Sequence, residues 1–323
     1  MNHIVQPYKE SDAEFLSGLH RLSLELTTGC NLKCTHCYAD SDSSKFRQDK
    51  LKPKDYERLM DEGRVLGCRA IQFIGGEPTM NKHLPYFLKY AHTISYYSIE
   101  VFTNATYLPD YLLSALKESN ASIAFSFYSA NEMIHDAITQ IRGSFQRTVN
   151  NIRGAVNAGV PLRGNIIVMS QNQKTLDDTV DYLHKLGVRS VGIDHVRGVG
   201  RGKNKIGRSG IDELCHNCWR GNLAISSEGI GYPCIMGREF PVGSVYQKSL
   251  KDILSGSSLQ EFRSLSHAKH KYKTDRCNPD EGDSCNPDHS NDCSPDKSND
   301  CGPDQCRPDV GLPPSVCCKP DGW

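Results

Sequence analysis

Between about residues 20 and 200 the chain alternates strand-forming runs with helical patterns, and that rhythm constrains its fold more than any other feature. LSLELTT (22–28), AIQFIG (70–75), SIEVFTN (98–104), SIAFSFY (122–128), LRGNIIVM (162–169) and SVGIDHV (190–196) read as strands. Helices are expected from Pro53 to a glycine stop, and over 84–95, 109–119, 144–158 and 175–186. Such alternation with short links implies a parallel sheet with right-handed crossovers. Six units are too few for the closed eight-fold barrel, so an α/β fold, a partial (β/α)6 barrel, is expected. Ligands then belong at the carboxyl ends of the strands.

After residue 210 the rhythm breaks. A cysteine pair, a hairpin in NLAISSEGIGYPC and a short helix around SLKDILSGSSLQEFRSL follow. From 277 the chain repeats CNPDEGDS, CNPDHSND, CSPDKSND and shorter Cys-Pro-Asp units. This stretch has too few apolar residues to fold by burying them, so either metal orders it or it is disordered. The expected organisation is an N-terminal segment (1–20), a barrel domain (21–209), a small Cys-rich domain (210–276) and a repeat tail (277–323).

Hydrophobic residues at 37% and charged residues at 24% suit an ordinary soluble protein. No apolar run approaches the roughly 20 residues of a membrane-spanning helix. The opening MNHIVQPYKESDAEF has no apolar core of a secretory signal, so a cytoplasmic location is expected. Basic and acidic residues balance at 38 each, which disfavours nucleic acid as a partner. The loop RGVGRGKNKIGR (197–208) carries five cations, read either as a solvated connection or as a grip on an anionic substrate.

Fourteen cysteines in a reducing compartment point to metal rather than disulfides. CNLKCTHCY places Cys30, Cys34 and Cys37 in a C-x3-C-x2-C loop after the first strand. Three thiolates there can converge on one cluster, and three ligands on a four-iron cube leave one iron open. A zinc site completed by His36 is the alternative, although zinc motifs normally come as paired Cys-x2-4-Cys units. GGEP (Gly75, Gly76, Glu77, Pro78) ends the second strand; its glycines permit close backbone approach and Glu77 can accept from an ammonium. Alone it is a common turn.

With these motifs, residues 22–200 resemble the core of radical S-adenosylmethionine (SAM) enzymes. The resemblance implies that Cys30, Cys34 and Cys37 hold a [4Fe–4S] cluster whose open iron chelates SAM. It also implies that Tyr38 lies near the adenine, that the GGEP segment meets the SAM amino group, that Asn104 sits at a TNG-like strand end, and that Ser126 lies near the ribose. The sequence departs from the family at Ala105, where glycine is more usual, and at Tyr128, where aspartate often stands. The implied chemistry is one-electron reduction by a donor such as flavodoxin or ferredoxin, SAM cleavage, and a 5′-deoxyadenosyl radical that takes a substrate hydrogen.

Cys215, Cys218 and Cys234, with Gly229 four residues before the last, resemble the opening of the SPASM auxiliary-cluster extension; a zinc ribbon is the alternative. The tail departs from the usual SPASM spacing. Its Cys277, Cys285, Cys293, Cys301, Cys306, Cys317 and Cys318 are candidate ligands without assignment, for one or two auxiliary [4Fe–4S] clusters in all. Cys68 reads as a packed small hydrophobe, with a hydrogen-donor role as the alternative. HDAITQIRGSF (135–145) matches a SPASM-enzyme pattern in which Arg142 either touches SAM or substrate or forms a salt bridge.

By resemblance the expected substrate is a ribosomally made peptide, oxidatively modified. So little chain precedes residue 20 that a separate recognition protein, or none, is expected. Two alternatives remain: a small-molecule enzyme (sugar or cyclitol dehydrogenase or epimerase), and a non-catalytic Fe–S or zinc scaffold.

Overall fold

Leu22 and Leu24 leave the first strand on one side, Ser23 and Glu25 on the other, and the same split recurs across the sheet. The computed structural model describes residues 17–45, 49–215 and 217–275, the last five by backbone alone. Strands β1 (Arg21–Glu25), β2 (Ala70–Ile74), β3 (Ser98–Thr103), β4 (Ser122–Phe127), β5 (Leu162–Val168) and β6 (Ser190–His195) pair in parallel, each beside the next. All six sit within a residue or three of the stretches read from the sequence. Between them run α1 (Pro53–Val65), α2 (Leu84–Thr93), α3 (Asp110–Glu118), α4 (Glu132–Thr139), α5 (Ser144–Asn157) and α6 (Leu176–Lys185). Pro53 opens α1, where its missing N–H costs nothing, and Gly67 beyond its end adopts φ +84°. The helices bury the apolar face: Leu22, Phe73, Val101 and Phe125 join Leu59, Phe87, Leu116 and Ile152 in one core.

The opposite face is polar. Ser23 Oγ donates to Gln72 Oε1 (3.3 Å), Gln72 Nε2 donates to Glu100 Oε1 (2.7 Å), and the Arg163 guanidinium donates to both Glu100 oxygens (2.9 and 3.0 Å). Burial alone would raise the Glu100 pKa, but Arg163 outweighs it and holds the carboxyl below its ordinary range.

The C-terminal part joins the same sheet. β7 (Asn222–Ile225) pairs in parallel with the other edge of β1, Leu22 opposite Leu223, and β8 (Ile230–Tyr232) and β9 (Gly243–Ser244) continue antiparallel. The result is one open nine-stranded sheet ending in β6 and β9, consistent with a partial rather than a closed barrel. A single turn, α7 (Lys203–Ile206), follows β6. The helix expected near 250–265 is two: α8 (Leu250–Ser255) and the 19-residue α9 (Ser257–Asp275). The break falls at Gly256, extended at φ −68° and ψ 140°. From α9, the fully buried Arg263 reaches the carbonyls of Gly18 (3.0 Å) and Asn222 (3.1 Å). Among the described residues no helix is long and apolar enough to cross a membrane.

Candidate functional site

The loop after β1 carries Cys30, Cys34 and Cys37, and neighbouring elements fix it through its backbone. Lys33 and Thr35 N–H donate to the last carbonyls of α4, Thr139 (3.1 Å) and Ile138 (2.9 Å). Arg201, after β6, closes the other side. Its Nε donates to the Cys34 carbonyl, Nη1 to Asp40 Oδ1 and Nη2 to the Ser41 carbonyl, each at 2.8 Å, and its backbone N–H reaches the Cys37 carbonyl at 3.0 Å. Gly200 (φ +55°) lies so close to the Cys37 and Tyr38 carbonyls that no side chain fits.

Each of the three sulfurs accepts a hydrogen bond. Leu32 N–H (3.4 Å) and Asn104 Nδ2 (3.7 Å) donate to Cys30, the Tyr128 hydroxyl (3.8 Å) to Cys34, and Ser41 N–H (3.4 Å) to Cys37. Burial, with the neighbouring Cys37, pushes the Cys34 thiol up to about 12; burial and Glu77 push Cys30 higher still. The Cys30 and Cys34 thiols therefore resist ionising unless a cation compensates, while donors aimed at sulfur favour the thiolate. A cationic iron–sulfur core fits both properties. Among the described residues no three His, Cys, Asp or Glu side chains group as a site for a metal ion.

The GGEP segment abuts this loop. Gly76 N–H donates to the Thr27 carbonyl (2.7 Å) and Glu77 N–H to Gly29 (2.9 Å), and a side chain on Gly76 would overlap the Gly29 carbonyl. Pro78 is buried and opens a short 3-10 turn. Glu77 is fully buried, and its carboxylate accepts from Thr79 N–H (3.0 Å), Thr79 Oγ1 (2.7 Å), Thr103 Oγ1 (2.6 Å) and Asn104 N–H (2.7 Å). Burial raises its pKa, while these bonds favour its charge. Glu77 therefore ties β2 to the end of β3, a role the sequence did not reveal. Asn104 bridges the same groups, donating to Asn31 Oδ1 (2.8 Å) as well as Cys30. Ala105, after it, takes φ +55°, the left-handed region that explains why glycine is more usual there. Ser126 is half-buried on β4 beside Asn165 of β5.

Tyr38 packs toward the C-terminal part. Arg238 lies 5.6 Å from its ring and 5.8 Å from that of Tyr232, and pairs with the buried Glu25 at the end of β1. Tyr38 also borders a small core formed by Val199, Leu214, Cys218 and Phe262. There the sulfurs of Cys218 and Cys234 stand 2.9 Å apart. Hydrogen bonds with Cys215 and Cys234, then burial, push the Cys218 thiol well up. Cys218 thus has both Cys215 and Cys234 as hydrogen-bond neighbours. The seven tail cysteines lie outside the described residues.

Cys68 is fully buried in the main core. Arg142 is exposed at the start of α5. The basic loop is largely neutralised: Arg197 pairs with Asp194, Arg201 with Asp40, Lys203 with Glu239 and Arg208 with Glu213. Of the groups the sequence reading missed, Arg201 had a signal, its flanking Gly200 and Gly202; Arg238 had none.

Residues 24–183 match the radical SAM superfamily and residues 215–286 match SPASM, an iron–sulfur cluster-binding domain. The chain belongs to the radical SAM superfamily and carries a SPASM domain, which together imply [4Fe–4S] clusters and SAM. It is 27% identical to the antilisterial bacteriocin subtilosin biosynthesis protein AlbA of Bacillus subtilis, matching 82% of this chain and 66% of AlbA. It is 25% identical to the PqqA peptide cyclase of Granulibacter bethesdensis, over 75% of each. Its fold is shared with SuiB of Streptococcus suis in the SAM-bound crystal structure (TM-score 0.63, 18% identity, 77% of this chain and 68% of SuiB). The chain spans only 66% of AlbA and 45% of the Fe-coproporphyrin III synthase of Methanosarcina barkeri, to which it is 26% identical.

Proposed function

We propose that this chain is a radical SAM enzyme that oxidatively modifies a peptide substrate, forming a cross-link or a related bond. Cys30, Cys34 and Cys37 would hold the SAM-side cluster, and Cys215, Cys218 and Cys234 would contribute to an auxiliary one. When bound, the reduced cluster and SAM supply a carbon radical able to take a substrate hydrogen, the electron coming from a donor such as flavodoxin or ferredoxin. One observation carries the reading: the cysteine loop, GGEP and Asn104 are interlocked through Gly29, Glu77 and Cys30 at the carboxyl ends of β1 to β3.

The residues divide the work. Glu77 fixes the β3 end through the Thr103 hydroxyl and Asn104 N–H, leaving the Gly75–Gly76 backbone to approach the SAM amino group. Arg201 holds the cysteine loop shut. The polar inner face of β1 to β5 gives a substrate hydrogen-bonding groups. AlbA, by its name a bacteriocin biosynthesis protein, and the PqqA peptide cyclase favour a peptide over a sugar. A SuiB crystal structure holds its precursor peptide SuiA.

The test is anaerobic reconstitution, iron counting and detection of 5′-deoxyadenosine after adding dithionite and SAM. Wild type should form it, and Cys30→Ala, Cys34→Ala and Cys37→Ala should each reduce it at least a hundredfold. Stoichiometric zinc without iron, or cleavage retained in the triple variant, would overturn the reading.

A further inference from the structure

Tyr128 stands just beyond β4, 5% exposed, with its hydroxyl 3.8 Å from Cys34 Sγ. Its position is fixed on every side. The His36 ring meets it edge-on at 5.0 Å and the His135 ring lies 5.3 Å away. Asn172 Nδ2 donates to its carbonyl at 2.7 Å. Ile138 and Met169 pack with it in one small apolar cluster that Cys34 also borders. A phenol held so tightly keeps its donor aimed at one sulfur. Cys37 receives a backbone N–H, and Cys30 receives a backbone N–H together with the Asn104 amide. At Cys34 the side-chain donor is the Tyr128 hydroxyl, whose presence is set by the amino acid chosen at 128.

We propose that Tyr128 tunes the reduction potential of the cluster through its hydrogen bond to Cys34; this rests on reading Cys30, Cys34 and Cys37 as cluster ligands. Reduction adds an electron whose charge spreads onto the thiolate sulfurs. A donor aimed at a sulfur stabilises the more negative, reduced form and raises the potential. Burial strengthens the effect because no water competes or screens. Tyr128 therefore acts as a positioning residue through Cys34, easing electron entry without touching substrate.

The experiment compares wild type and Tyr128→Phe after anaerobic reconstitution. Iron content is measured, then the cluster is titrated potentiometrically and followed by electron paramagnetic resonance, using the signal that changes when SAM is added. The expected result is equal iron content and a midpoint shifted to more negative potential in Tyr128→Phe. An unchanged or more positive midpoint in an iron-replete variant overturns the inference while leaving the cluster assignment standing. Wild-type protein that shows no SAM-sensitive signal overturns the cluster assignment itself. Should Tyr128→Phe fail to hold iron, 3,5-difluorotyrosine at position 128, a stronger donor of nearly the same shape, decides the matter. It should move the midpoint positive, and no movement overturns the inference.

Discussion

At Gly76 the missing side chain is what lets two motifs touch. An added methyl would overlap the Gly29 carbonyl, which is backbone and has little room to yield. Gly76→Ala is expected to destabilise the protein by about 1–3 kcal/mol, the usual penalty for overpacking. It should also lower retained iron, because Gly29 immediately precedes Cys30. Thermal melting and iron analysis check both. Ala105 shows how far single residues were legible. Its oddity was visible as a departure from a glycine, but the cause, φ +55° in a fully buried turn, needed the backbone. Glu77 was legible as part of a motif. Its occupation by Thr79, Thr103 and Asn104 was not, since two of those partners lie 26 and 27 residues away.

The elements were read well wherever periodicity is strong. The six strands β1 to β6 came from apolar runs with turn signals between them. α4 was missed because it is short and displays Met133, 77% exposed, on its surface. Its start signal was present: Asn131 caps it, accepting from the N–H groups of Met133 (3.0 Å) and Ile134 (3.3 Å). The loop after β6 misled more deeply, since five cations in twelve residues look solvated and Arg201 is instead a clamp. Its planar fork serves three acceptors in fixed directions, which a lysine ammonium on a flexible stem cannot copy. Arg201→Lys should therefore keep the native circular dichroism yet lose at least half of the iron bound to the Cys30 loop, read by iron counting in a Cys215→Ala/Cys218→Ala background. Full iron retention would exclude the clamp.

Over the whole molecule, the C-terminal part cannot be lifted off cleanly. β7 covers an edge of β1, while Leu223, Ile225, Ile253 and Leu259 share one core with Leu22 and Leu24. Arg238 neutralises Glu25, whose side chain is only 3% exposed, and removing one partner of a buried pair costs about 3–5 kcal/mol. A chain ending at residue 209 should thus lose its cooperative thermal transition and aggregate through the bared strand, visible by size-exclusion chromatography. A well-behaved monomer with a sharp melt would refute this. None of it was legible in order along the chain, because the parallel pairing of Arg21 with Asn222 spans most of its length.

The docking of β7 on β1 has a consequence for timing. The Cys30 loop leaves the carboxyl end of β1, while Cys218 leads into the amino end of its parallel neighbour β7, so the paired strands fix where one group stands relative to the other. Tunnelling slows exponentially as distance grows. Metal centres seated on those loops would exchange charge at a rhythm that thermal breathing of the protein hardly disturbs.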